Sequence, residues 1–180
     1  MTIDSIRVSL MNYQHVVILR EKGSDRYLPI WIGPTEADAI SMKLQNVDTT
    51  RPMTHDLLDS MVQTLGAKVN FVVVNDLRND TFFAKILLTT DGKQIEVDSR
   101  PSDAIALAVR ATVPIFVEEP ILEKAGIILD KETGKPIPID KNYEKQTGNK
   151  KVDDQELKKL SAFNDFINTL DLDDLGKHKS

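Results

Sequence analysis

Polar and apolar residues alternate at the start of the chain. Ile6, Val8 and Leu10 recur with period two, which predicts a strand over residues 3–10. A second strand is expected over 15–20 (His-Val-Val-Ile-Leu-Arg). After the turn Lys22-Gly23-Ser24-Asp25 comes a third over 27–32, so the opening reads as an antiparallel meander. The period then lengthens. Ala37, Ile40 and Leu44 form an i, i+3, i+7 stripe, and Pro34 suits a first helical turn, predicting a helix over 34–44. A second helix over 54–65 places Leu57, Leu58, Met61 and Leu65 on one face and stops at Gly66. Strands follow over 68–75, 82–88 and, past the turn Asp91-Gly92, 94–98. A helix over 101–111, a short strand over 115–117 and a helical turn over 121–125 complete this region.

Three strands, two helices, three strands and a helix are not strict βαβ alternation. The order predicts an α+β fold, with mostly antiparallel sheets packed against three main helices. Ala37-Asp38-Ala39-Ile40 echoes Ser102-Asp103-Ala104-Ile105, each in a helix that follows three strands, which hints at internal duplication. From Ile127 the composition turns polar, glycine-containing and rich in lysine, with no arginine after Arg110. The chain therefore divides into a core domain over 1–126, a polar hairpin and linker over 127–152, and a tail over 153–180. The hairpin would turn about Gly134, with 142–151 as linker. In the tail, Leu157, Leu160, Phe163, Ile167 and Leu170 fall on one stripe and predict a C-terminal amphipathic helix over 154–170. A lone helix of that size is marginal in water, so it is expected to dock on the core or on a neighbouring subunit.

Composition narrows the function. Hydrophobic residues make up 41% and charged residues 28%, ordinary for a soluble globular protein. The absence of cysteine excludes disulfides, thiolate catalysis and cysteine-ligated zinc. No apolar run approaches a membrane span, and residues 1–7 lack a signal-peptide pattern, so a cytoplasmic location is expected. Net charge is −5, and residues 1–126 alone hold 13 Lys and Arg against 17 Asp and Glu, a net of −4. Nucleic-acid affinity rests on neutralising phosphates. A protein that coats DNA is thereby excluded, whereas one that grips one or two phosphates at a local basic site is not.

Such a site is suggested by a device that occurs twice. Arg51-Pro52-Met53-Thr54-His55-Asp56 and Ser99-Arg100-Pro101-Ser102-Asp103 each set Arg-Pro, a hydroxyl residue and an aspartate ahead of an apolar helical run. Proline suits the first turn, Ser or Thr suits the cap, and aspartate suits the positive end of the helix dipole. Capping does not require the arginines. A guanidinium beside a helix N-terminus is an anion site, and phosphate is the commonest anion of that shape.

With Pro29-Ile30-Trp31-Ile32-Gly33-Pro34-Thr35-Glu36-Ala37, these two strings resemble the bifunctional nuclease domain family over about residues 3–126. The resemblance implies an enzyme that hydrolyses phosphodiester bonds of DNA, RNA or both, with nucleic acid as partner and substrate. The tail also looks like one seen in some relatives. The resemblance carries no residue-level mechanism, so roles must come from the residues themselves.

Arg51, Arg100, Thr54 and Ser102 are the candidate phosphate-binding residues. His55, beside Asp56 and Arg51, is suited to general-base catalysis or metal ligation, and Asp56 and Asp103 are the acidic candidates to assist it. In the competing reading Thr54 caps a helix and His55 and Asp56 face water. Glu96 and Asp98 leave one face of a predicted strand, and Asp103 begins the next helix. Carboxylates so gathered suit a Mg²⁺ or Mn²⁺ ion, against the alternative of a solvated strand face. Neither a zinc spacing nor a glycine-rich nucleotide loop is present. Trp31 would serve as a base-stacking platform or, alternatively, as core or subunit interface. Both-face apolar character at 29–32 and at Phe71-Val72-Val73-Val74 leads to an expected homodimer or higher oligomer. The alternative function is a non-catalytic module that binds an anionic ligand or a partner through the same helix starts.

Overall fold

The computed structural model describes residues 1–8, 14–129 and 136–139. β1 (Thr2–Val8), β2 (His15–Arg20) and β3 (Arg26–Ile32) form the expected antiparallel meander. α1 (Pro34–Leu44) and α2 (Thr54–Thr64) follow. A second meander comes next, of β4 (Lys68–Arg78), β5 (Thr81–Thr90) and β6 (Lys93–Ser99). Then come α3 (Pro101–Ala111), β7 (Ile115–Val117), α4 (Glu119–Ala125), β8 (Ile127–Leu129) and β9 (Pro136–Pro138). One sheet has the order β1-β2-β3-β8-β9 and the other β6-β5-β4-β7, with β7 parallel to β4 and all other pairs antiparallel. The fold is α+β. The first sheet continues past Gly126, because β8 pairs with β3 and β9 with β8. The tail helix and the linker fall outside the described residues. Among the described residues no helix is long and apolar enough to cross a membrane.

The core lies between the sheets, and α3 runs through it. Its Ala104, Ile105, Ala106, Leu107 and Ala108 are all buried, a nearly all-round apolar helix of small and branched residues. Val17, Leu19, Leu28 and Ile30 of one sheet and Val72, Val74, Ala84 and Ile86 of the other join it in one cluster. The β5–β6 turn places Asp91 and Gly92 both at positive φ, as a two-residue hairpin with right-handed strand twist demands. The β4–β5 turn does the same with Asn79 and Asp80, short polar residues that tolerate this region.

Two expectations about packing are corrected. The stripe Leu57, Leu58, Met61 and Leu65 does not face the core as a unit. Leu58 and Val62 pack inward, whereas Leu57, Met61 and Leu65 are 55%, 52% and 76% exposed. The rotation of α2 is set by His55, the buried residue of this helix, and Leu58 and Val62 lie three and seven positions beyond it. Trp31 is not core: it is 36% exposed, because β3 ends at a cleft where α1 begins.

Candidate functional site

All three main helices start in the same manner. The N-cap residues are Gly33, Met53 and Arg100, all with extended backbone, and none caps through its own side chain. Thr54 and Ser102 are the first and second helical residues, so neither is the cap its type suggested. Each helix instead carries a carboxylate at its third position: Glu36, Asp56 and Asp103. A negative charge there suits the positive end of the helix dipole. Pro34 and Pro101 supply a preset φ at the first position of α1 and α3.

The three carboxylates are used differently. Asp103 accepts from Arg100 Nε at 2.7 Å and Nη2 at 3.0 Å, and its Oδ1 lies 3.1 Å from His55 Nε2. Arg100 Nη2 also donates to Glu36 Oε1 at 2.5 Å. A continuous chain His55–Asp103–Arg100–Glu36 thus joins the first turns of α2, α3 and α1. His55 is buried, with 9% of its side chain exposed, while Arg100 is 66% exposed and presents its guanidinium to solvent. Asp103 and Glu36 take Nε and Nη2; Nη1 has no partner among the described residues.

Electrostatics keep Asp103 and Arg100 ionised. Burial on its own would raise the Asp103 carboxyl. Hydrogen bonds from Arg100 and His55, with the Arg100 charge, outweigh it and hold its pKa below the ordinary carboxylate value. The hydrogen bonds of Asp103 and Glu36 push the Arg100 pKa further up, so its charge is permanent.

Asp56 does not join the chain. Its Oδ2 accepts the Met53 N–H at 2.8 Å and its Oδ1 accepts Arg110 Nε at 2.5 Å. Burial would raise this carboxyl too, but the Met53 N–H and Arg110 prevail and its pKa is lowered. Arg110, with 4% of its side chain exposed, also donates to the carbonyls of Ala106 and Ala39. It therefore ties α3 to both other helices behind the site. A single arginine near the end of an apolar helix was the only sequence signal of that role.

The remaining candidates are dispersed. Arg51 and Thr54 are exposed ahead of and at the start of α2, and Arg51 has no ion pair among the described residues. Glu96 accepts Lys85 Nζ at 2.6 Å, and Asp98 stands opposite Lys85 in the β5–β6 register. Among the described residues no three His, Asp or Glu side chains converge as a metal-binding group. With both Asp103 oxygens and one Glu96 oxygen already bonded, the set Glu96, Asp98 and Asp103 does not fit a Mg²⁺ or Mn²⁺ ion.

A cleft of about 320 Å³ opens beside the chain, between the starts of α1 and α3 and the β4–β5 turn. Trp31, Gly33, Phe82, Arg100 and Ser102 are among its lining residues. Glu36 was missed by sequence reasoning although the signal existed. Aligned on their prolines, Pro34-Thr35-Glu36-Ala37 matches Pro101-Ser102-Asp103-Ala104, two residues out of step with the Asp38–Asp103 echo. Gly33 is part of the same arrangement: a Cβ there would lie 2.3 Å from Glu36 Oε2.

The comparisons with known proteins fit this region. A model of the bifunctional nuclease domain matches residues 17–130, which span all three helix starts. An uncharacterized protein of Mycobacterium tuberculosis is 40% identical over 162 residues, 90% of each chain. A bifunctional nuclease of Oryza minuta is 28% identical over 160 residues, 87% of this chain and 48% of its own length. Bifunctional nuclease 2 of Arabidopsis thaliana is 30% identical over 115 residues, 62% of this chain and 35% of its own length. With more than half of its length matched by the family's model, the chain belongs to the bifunctional nuclease domain family.

Proposed function

We propose that this protein hydrolyses phosphodiester bonds of DNA or RNA, with His55 as general base, Asp103 as its positioning partner and Arg100 as the phosphate clamp. The observation that carries this reading is the contact of His55 Nε2 with Asp103 Oδ1 at 3.1 Å, in an aspartate already gripped by Arg100. An ionised carboxylate only accepts, so Nε2 carries the proton and Nδ1 keeps the lone pair that takes a proton from water. The water oxygen then attacks phosphorus and the 3′ or 5′ oxygen leaves. General-base assistance of this kind is worth ~10²–10⁴-fold in rate. The two Nη1 donors of Arg100 suit a phosphate oxygen pair, and Ser102, which lines the same cleft, is a further donor at the start of α3. Asp56 serves from behind, by fixing α2 through Arg110.

Family membership and the nuclease names of the plant relatives support the reaction class. A cytoplasmic homo-oligomer completes the reading. It is supported by a cysteine-free composition and by the outward stripe Leu57, Met61 and Leu65. One observation favours the alternative of a non-catalytic anion-binding module: Arg100 already faces two carboxylates, and His55 is largely buried. Hydrolysis of single- and double-stranded substrates by purified wild type and His55→Ala separates the two. The nuclease reading predicts loss of turnover in His55→Ala with retained substrate binding; equal activity in both proteins contradicts it.

A further inference from the structure

The cleft beside Arg100 has more structure than a phosphate clamp requires. Ile30, Ile32, Phe82 and Pro101 give it apolar lining, and Trp31, 36% exposed, lines it as well. Arg100, Ser102 and Asp80 are among its polar lining residues. Ser102, only 6% exposed as a residue, contributes to the same lining as Arg100. A partly exposed indole, Arg100 Nη1, which has no partner among the described residues, and the Ser102 hydroxyl thus line one cavity. Its volume, about 320 Å³, lies at the small end of ligand sites, which run from ~300 to 1,000 Å³. That admits one nucleotide and not the width of a duplex.

We infer that this cleft selects an unpaired nucleotide, with the base stacked on Trp31 while Arg100 and Ser102 hold its phosphate. This deepens the nuclease reading above and rests on it, because the phosphate held by Arg100 is the one presented to His55. Stacking on an aromatic is tolerant of sequence, since every base has a π face, so the selection is for strandedness and not for base identity. A duplex keeps its bases stacked on one another and cannot offer one to Trp31 without unpairing.

Trp31 is the sole tryptophan of the chain, so its fluorescence reports this cleft alone. The full chain is titrated with an eight-nucleotide DNA single strand, its duplex, an abasic strand with the same phosphates, and inorganic phosphate. The single strand should quench the emission saturably. The abasic strand and the duplex should bind at least fivefold more weakly and leave the emission unquenched, as should phosphate. Trp31→Phe should keep the affinity within about threefold, whereas Trp31→Ala should lose about 5- to 150-fold, the range for one stacked base. Equal affinity for base-bearing and abasic strands, or for strand and duplex, would overturn the inference. The abasic comparison needs no variant, so a misfolded Trp31→Ala does not blunt the test. Cleavage of the same DNAs is followed in parallel. Base-dependent quenching without cleavage would sink the nuclease reading and support the selective cleft; equal cleavage of strand and duplex would do the reverse.

Discussion

Replacing Arg110 with alanine tests how the site is held rather than what it does. Arg110 is nearly buried and bonds Asp56 of α2, the Ala39 carbonyl of α1 and the Ala106 carbonyl of its own helix. The two carbonyls keep their i+4 helical partners when the guanidinium goes, so the cost falls mainly on Asp56. Breaking a fully buried ion pair from one side costs ~3–5 kcal/mol. Asp56 is 33% exposed and regains some water, which lowers the expected loss to about 2–3 kcal/mol. At ~2–4 °C per kcal/mol for a domain of this size, Tm should fall by roughly 5–10 °C. Thermal unfolding followed by circular dichroism reads this. Asp56→Asn and the double variant complete a cycle in which the two losses should not add, because each removes the same contact. A Tm within about 1 °C of wild type, or strictly additive losses, would refute the claim that Arg110 clamps the three helices through Asp56.

Three further outcomes follow from the same geometry. Gly33→Ala forces Glu36 off Arg100, since the new Cβ would meet Glu36 Oε2 at 2.3 Å. Freed of the Glu36 carboxylate, Arg100, the exposed member of this pair, should bind inorganic phosphate up to about fivefold more tightly by calorimetry, and weaker binding would contradict the arrangement. Asp56 and Asp103 both have lowered pKa values, so their contribution to stability is complete above the ordinary carboxylate range and lost as pH falls through the lower, folded values. The stability difference between wild type and Asp56→Asn should therefore narrow below about pH 4; a gap unchanged from pH 7 to pH 3 would count against it. Leu57→Glu with Met61→Glu alters only the exposed stripe of α2. Sedimentation should show wild type larger than the 20.2 kDa chain and the double variant as a monomer, whereas a monomeric wild type at micromolar concentration would rule out association.

Much of the fold was readable because period and punctuation agreed. α1, α3, β2 and β7 have the bounds that proline, glycine and the apolar stripe mark out. The β4, β5 and β6 strands run further than their apolar runs, because ladder hydrogen bonds carry pairing into polar turn residues such as Arg78 and Thr90. Where the reading failed, a long-range polar contact had overridden a local pattern. The apolar stripe of α2 points outward because His55 needs Asp103, 48 residues away, and no local period encodes that. A strand apolar on both faces leaves Trp31 open to core, subunit interface or base stacking, and only the fold shows that it borders a cleft made by segments remote in sequence. Arg51 and Arg100 looked equivalent as a pair of Arg-Pro loops. In the fold only Arg100 is a helix cap with two carboxylate partners, and the residue that matches Asp103 on α1 is Glu36, which follows a glycine instead of an arginine. Glu96 and Asp98 share a strand face as their spacing requires, but Lys85 on the neighbouring strand pairs with Glu96 and stands opposite Asp98 in the register.

The most direct measurement of the central claim is a double-mutant cycle on kcat with His55→Ala, Asp103→Asn and both together, on one single-stranded substrate at saturating concentration. If Asp103 acts by holding His55 in its reactive tautomer, each single change should lower kcat by ~10²–10⁴-fold, and the pair should cost little more than His55→Ala alone. Substrate KM should stay near wild type in His55→Ala, since the Arg100 clamp is untouched. Independent, multiplying losses would break the dyad, and full activity in His55→Ala would remove His55 from the chemistry altogether.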